Sequence, residues 1–162
     1  MQQHEIEAEL SAATDLLSTA SMAHLAYIGP DGTPRAVPVG FFWTGAAFVI
    51  ATAATAPKVA AVAARPDVAL TIDAGGTPEQ ARSLSVRGCA DVRIVEGVVE
   101  EYLAAARRTM DEASAAEFER NCRDLYDRMA RIAVTPTWVR YYDFGAGRVP
   151  RFLRELAART GE

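Results

Sequence analysis

Ser83-Leu84-Ser85-Val86-Arg87-Gly88-Cys89-Ala90-Asp91-Val92-Arg93-Ile94 is the stretch that decides the fold. Leu84, Val86, Gly88, Ala90, Val92 and Ile94 occupy every second position, and polar or charged residues, with Cys89, fill the others. A period of two over this length predicts a long strand with one face on a core and the other in water. Gly88, in its middle, marks a bend or a close approach by neighbouring backbone.

Upstream the chain reads as shorter strands separated by turn chemistry. Residues 23–28 form an apolar run, Gly29-Pro30-Asp31-Gly32-Thr33 is dense in turn formers, and residues 35–42 supply a second strand, so the two make a hairpin. Pro38 cannot donate to a ladder and Gly40 carries no side chain; together they bend the strand or let its backbone approach a flat ligand. Trp43-Thr44-Gly45 is a second tight turn, residues 46–52 a third strand and residues 68–73 a fourth. Between these two strands residues 59–65 form a short helix, which ends at Arg65 because a residue before proline leaves the α region. At the start, Ile6, Leu10, Ala13 and Leu17 recur at helical spacing over residues 3–17, with Glu5, Glu7 and Glu9 as a solvated face.

Downstream, Val99, Leu103, Ala106 and Met110 line one helix. Ser114 and Glu117 form a capping box for another, with the stripe Phe118, Cys122, Leu125 and Met129. Residues 132–144 return to strand character, with Pro136 at its start or at a bulge, and residues 150–159 can close the chain as a helix. Short strands, a long strand, a helical insertion and a final strand do not make a βαβ pattern. Antiparallel closure into a barrel with attached helices does fit this order. A barrel this small has no interior room for a ligand, so a binding site belongs on its outer face, where a second copy of the chain can roof it.

One turn stands out chemically. Thr52-Ala53-Ala54-Thr55-Ala56-Pro57-Lys58 leads from the third strand into the short helix, and Lys58 is the only lysine in a chain whose other basic residues are arginine. Hydroxyls, first-turn N–H groups and an ammonium converge there, which is a phosphate site in outline; the alternative is an ordinary solvated lysine at a helix start.

Composition narrows the function classes. Half of the 162 residues are hydrophobic, yet no apolar run reaches the ~20 residues of a membrane span, and the first ten residues are polar rather than leader-like. One cytoplasmic domain is expected. A net charge of −4 argues against a nucleic-acid surface, and two cysteines with two histidines offer neither a disulfide framework nor metal-ligand spacing. Cys89 and Cys122 are expected as buried free thiols. His24 alternates with apolar neighbours and reads as structural, and no nucleophile elbow or paired carboxylates point to hydrolysis.

Taken in order, Gly32-Thr33-Pro34-Arg35-Ala36-Val37-Pro38-Val39, Phe48-Val49-Ile50-Ala51-Thr52, Thr55-Ala56-Pro57-Lys58, Arg65-Pro66-Asp67-Val68-Ala69-Leu70 and Val86-Arg87-Gly88-Cys89-Ala90 resemble the pyridoxamine 5′-phosphate oxidase-like family of split β-barrels. The resemblance runs over residues 23–95 and more loosely over residues 132–144. It implies a mainly β, α+β fold: a six-stranded antiparallel split β-barrel with peripheral helices. Its parts would be an N-terminal helix at 3–17, a barrel core at 23–95, a helical insertion at 97–131, and the last strand and tail at 132–162.

Members of that family are homodimers holding FMN, or in some branches the deazaflavin F420, across the interface. Carried over by position, Arg35 and Lys58 would contact the cofactor phosphate, with Ala51 and Thr52 beside them. Val37, Pro38 and Val39 would offer backbone to the ring, and Ser83 stands where a polar side chain often reaches it from the second subunit. This chain has Ala56 and Pro57 where the family has a serine and an arginine before the lysine, so two phosphate ligands are gone. It also has Gly40 where the vitamin oxidases carry a lysine for the substrate phosphate, which argues against oxidation of pyridoxamine phosphate. The expectation is an FMN-dependent oxidoreductase moving hydride to or from a small organic substrate, the cofactor carrying the chemistry. The alternatives are an F420-dependent reductase on the same fold and a non-catalytic flavin- or haem-binding module.

Overall fold

The computed structural model describes residues 1–160. The chain opens with α1 (Gln3–Ala12) and α2 (Thr14–Thr19), then runs through β1 (Met22–Ile28), β2 (Pro34–Gly40), β3 (Phe42–Trp43) and β4 (Phe48–Ala53). After α3 (Pro57–Ala64) come β5 (Asp67–Ala74), a 3₁₀ turn (Pro78–Gln80) and the long β6 (Arg82–Glu96). The helical insertion is α4 (Glu100–Arg107) and α5 (Glu112–Leu125), followed by β7 (Arg128–Asp143) and α6 (Arg151–Thr160).

All pairings between these strands are antiparallel, in the order β2-β1-β5-β6-β7-β4-β3. The two edge strands, β2 and β3, are consecutive in the chain and separated only by Phe41. A sheet whose edges are joined by one residue has to curl until they meet, and the result is a split barrel. The period-two reading of the long strand holds as far as Ala90, with Leu84, Val86 and Ala90 buried; beyond it Ile94, expected on the core face, is 49% exposed, and Val95 packs on the cluster under the insertion instead. Its partner β7 carries the bulge. Arg87 pairs with Trp138 but Gly88 pairs with Pro136, so Thr137 is the extra residue.

Phe48, Ile50, Leu25, Leu70, Ile72, Leu84 and Ile132 fill the barrel with Leu16 and Leu17 of α2. A second apolar cluster lies on the other side of β4 and β7, where Leu103 of α4 and Cys122 of α5 pack on Val49, Met129 and Ala133. Arg108, just past α4, donates to the carbonyls of Leu17, Ser18 and Ala20 at 2.9, 2.6 and 3.2 Å, tying the insertion to the end of α2.

Several local expectations are corrected. The continuous helix over 3–17 breaks at Ala13, fully buried, where the change of direction lets both Ile6 and Leu16 reach the core. The second strand ends at Gly40 rather than running to Phe42, because Phe41 turns its ring into the core; the strand count is therefore seven. Asp111, not Ser114, caps α5, its carboxylate accepting the Ser114 N–H at 2.9 Å and the Ser114 hydroxyl at 3.0 Å. Leu125 is 71% exposed and Met129 belongs to β7, so the α5 stripe stops at Cys122. Cys89 is exposed, because it falls on the outward phase of β6.

Glu9 is the largest departure. It was expected in solvent and is 7% exposed. Its carboxylate accepts the Tyr141 N–H at 2.7 Å and pairs with Arg148 at 2.6 Å and Arg140 at 3.2 Å, which docks α1 on β7.

Candidate functional site

The β4–α3 turn has the features of an anion site. Pro57 sits in the first turn of α3, and the N-cap residue, Ala56, has no side-chain oxygen to satisfy the first N–H groups. Lys58, half-buried on that turn, has no ion pair or hydrogen-bonding side-chain partner among the described residues. Thr52 and Ala51 lie just before the turn on opposite faces of β4. Thr52 shares the face of the core residue Ile50, whereas Ala51 faces the insertion with Val49.

Strand β2 presents two different faces. Val37 and Val39 turn into the core, and Ala36, Pro38 and Gly40 turn outward, leaving a methyl group, a proline ring and a hydrogen on that surface. As an edge strand paired only with β1, it has main-chain groups on its far side that no ladder uses. Across the sheet the outward row continues: Ala36 pairs with Ala26, Ala26 with Ala69, Ala69 with Arg87 and Arg87 with Trp138. Arg87 lies 4.5 Å over the Trp138 ring, a cation–π contact at the far end of this small-residue row.

Arg35 is engaged within its own loop. Its guanidinium pairs with Asp31 at 2.8 Å, and it lines an open cavity of about 470 Å³, with Ala26, Ala69, Arg87 and Gly88, that Lys58 does not reach. Hydrogen bonds from the Thr33 hydroxyl and N–H, with the Arg35 charge, hold the Asp31 carboxyl below the usual carboxylate range. Arg65, at the other end of α3, donates to the Gly29 carbonyl at 2.6 Å and so closes the same loop. Ser83 is on the outward face of β6, paired in register with Asp73 and Tyr142. His24, on that same outer surface, is exposed, with Nδ1 3.9 Å from the Asp73 carboxylate.

The cavity that touches the candidate cofactor strands lies under the insertion. It measures about 240 Å³ and is bounded by Gly40, Phe41, Val49 and Ala51 below and by Tyr102, Ala106 and Phe118 above. Two hydrogen bonds from Arg131, at 2.9 and 2.6 Å, lower the Glu101 pKa at its edge, and burial raises that of Tyr102. Burial likewise raises the Cys122 thiol. Ala106 was legible only as part of a helix stripe, and Tyr102, on the same helix, had not been singled out at all. Glu9 did leave one: it lies three residues after Ile6, on the apolar side of α1.

A curled antiparallel sheet whose two edge strands are joined through Phe41 defines the chain as a split β-barrel protein. The chain belongs to the pyridoxamine 5′-phosphate oxidase family, whose model matches residues 10–143. Among solved structures, a conserved hypothetical protein of Mycobacterium tuberculosis matches with a TM-score of 0.64 at 19% identity, covering 93% of this chain and 90% of that one. An F420 reductase is 29% identical with a TM-score of 0.57, covering 77% of this chain and 93% of its own. A haem storage protein of Vibrio cholerae shares the fold at 13% identity with a TM-score of 0.58, over 81% of this chain and 92% of that one. No curated protein matches the chain.

Proposed function

We propose that this protein is an F420-dependent oxidoreductase that works as a homodimer and moves hydride to or from a small organic substrate. The observation that carries this reading is the chemistry of the Lys58 turn. One ammonium, unpaired among the described residues, and one uncapped helix start, with Ala56 and Pro57 in place of further ligands, suit the single charge of a phosphodiester better than the dianion of the FMN phosphate. The likeness to an F420 reductase at 29% identity supports the same choice.

The residues present fit such a group. Lys58 and the first turn of α3 would hold the phosphate, with Thr52 beside them, and the free edge of β2 at Val37, Pro38 and Val39 would meet the polar rim of the ring. Ala36 and Gly40 leave that surface without bulky side chains. When bound, F420 supplies hydride transfer at its deazaflavin ring; the chain's own part is to bind, orient and exclude water. The outward row of Ala36, Ala26 and Ala69 is made of small apolar residues, and with Met22, 50% exposed, it supports a second copy as the roof.

The test is a titration of F420, and separately of FMN, into the protein and into Lys58→Ala, read by fluorescence. F420 should bind more tightly than FMN. Loss of a charge-assisted hydrogen bond of roughly 1.5–3 kcal/mol should weaken F420 by about ten- to a hundredfold in Lys58→Ala. Tighter binding of FMN would overturn the deazaflavin assignment, and equal F420 affinity in the variant would remove Lys58 from the site. Oxidation of reduced F420 by an added acceptor, at a rate above that of the free cofactor, separates an enzyme from a carrier.

A further inference from the structure

We infer that the cavity of about 240 Å³ beneath the α4–α5 insertion is the substrate pocket, and that it takes a compact, uncharged ring compound. This deepens the oxidoreductase reading and rests on it. Gly40 at the floor is the first argument. Its φ is not positive, and a Cβ placed there would meet nothing closer than the Ser21 carbonyl oxygen at 3.9 Å, so neither backbone geometry nor crowding requires glycine. A glycine within a strand costs stability relative to alanine, and its effect here is to leave the floor open.

The lining sets the chemical class. Phe41, Val49, Ala51, Ala105, Ala106 and Phe118 are apolar, and the Tyr102 and Phe118 rings pack in a tilted contact, centroids 5.6 Å apart at 45°, along one wall. The one charged residue at the edge, Glu101, is paired with Arg131 at 2.6 Å, so no uncompensated charge faces inward. An ionised ligand would lose its hydration with nothing in exchange, whereas a neutral ring keeps its dispersion contacts and can accept or donate at a single hydroxyl. A flavin-type ring is a poor occupant, because its pyrimidinedione rim needs several donors and acceptors together and the lining offers only the scattered hydroxyls of Ser21, Tyr102 and Thr109. The pocket does adjoin the proposed cofactor strands: Gly40 directly follows Val39, and Ala51 directly precedes Thr52. The insertion thus acquires a role, that of the wall which selects the substrate, held in place by Arg108 on the carbonyls of α2.

The experiment uses 2-naphthol as a neutral probe and 2-naphthoate as its charged counterpart, titrated calorimetrically into the full-length protein, into Gly40→Leu and into Ala106→Leu. The two variants narrow the pocket from opposite walls, and thermal unfolding confirms that each is folded. Saturable 2-naphthol binding is expected, at least tenfold weaker for 2-naphthoate and at least tenfold weaker in either folded variant, with F420 affinity in Ala106→Leu changed less than twofold. No saturable 2-naphthol binding, equal binding of the two probes, or unaltered binding in both variants overturns the assignment. If Ala106→Leu loses F420 in step with 2-naphthol, the pocket is the cofactor's, and the assignment is equally overturned. Failure of F420 to bind the unmutated protein, with 2-naphthol binding as expected, would instead overturn the cofactor reading alone.

Discussion

Glu101 and Arg131 join the insertion to the barrel through a half-buried contact in which two guanidinium N–H groups converge on one carboxylate oxygen, at 2.9 and 2.6 Å. Those hydrogen bonds, and the Arg131 charge, depress the Glu101 pKa in the folded protein. The folded state therefore binds a proton there less readily than the unfolded chain does. Stability from this group is complete above the unfolded pKa, near 4.3, and is lost as pH falls below it through the lower folded value. Glu101→Gln should be less stable than the unmutated protein by roughly 1–2 kcal/mol at pH 7, and the gap should close as pH is lowered past that window. Urea unfolding of both proteins across pH provides the check, and a gap that persisted undiminished at low pH would mean that this carboxylate is not the source. Lys58 illustrates the opposite condition: a charge without a partner among the described residues, which is why ligand affinity rather than stability should report on it.

The bulge between β6 and β7 shows how one residue governs an element. A Cβ at Gly88 would lie 2.5 Å from the Thr135 carbonyl oxygen and 2.7 Å from a Val134 methyl, so no side chain fits without moving backbone. Thr137, the extra residue, donates its hydroxyl to the Arg87 carbonyl at 3.2 Å and holds the offset. Gly88→Ala should cost about 1–3 kcal/mol through this overpacking. It should also broaden amide signals along both strands, with Arg87 and Trp138 losing their stacked arrangement. A midpoint of urea unfolding equal to that of the unmutated protein would show that the strands can separate here freely. The contrast with Gly40, where a Cβ has room, distinguishes a glycine required by close approach from one that leaves space.

At the scale of the whole molecule, the exposed outer face makes an association prediction. Its small-residue row, with Met22 and Pro38, is continuous with the edge strand where the cofactor is proposed to lie. If a second copy roofs that face, the protein should be a dimer at micromolar concentration with an interface above the ~1,600 Å² of a standard complex. Ala26→Arg should drive it toward monomer, and cofactor affinity should fall with it. Analytical ultracentrifugation coupled to F420 titration measures both, and a monomer that still bound F420 tightly would dismiss the shared site.

Pattern alone was enough for most of the long strand, because a half-buried strand writes its burial into every second residue; Leu84 to Ala90 needed no neighbour to be read. The turn at Pro57 and Lys58 was equally plain, since proline geometry and a unique lysine are local properties. Tertiary structure decided what depends on partners distant in the chain. Glu9 was buried only once Tyr141, Arg148 and Arg140 stood opposite it, and Phe41 divided a strand only because the sheet's edges had to meet around it. The pocket beneath the insertion joins residues 40 and 51 to residues 102 and 118, and neither half carries a mark of the other. Periodicity records how a segment meets solvent, whereas a cavity is made by segments that meet each other, and that information exists only after the chain has folded.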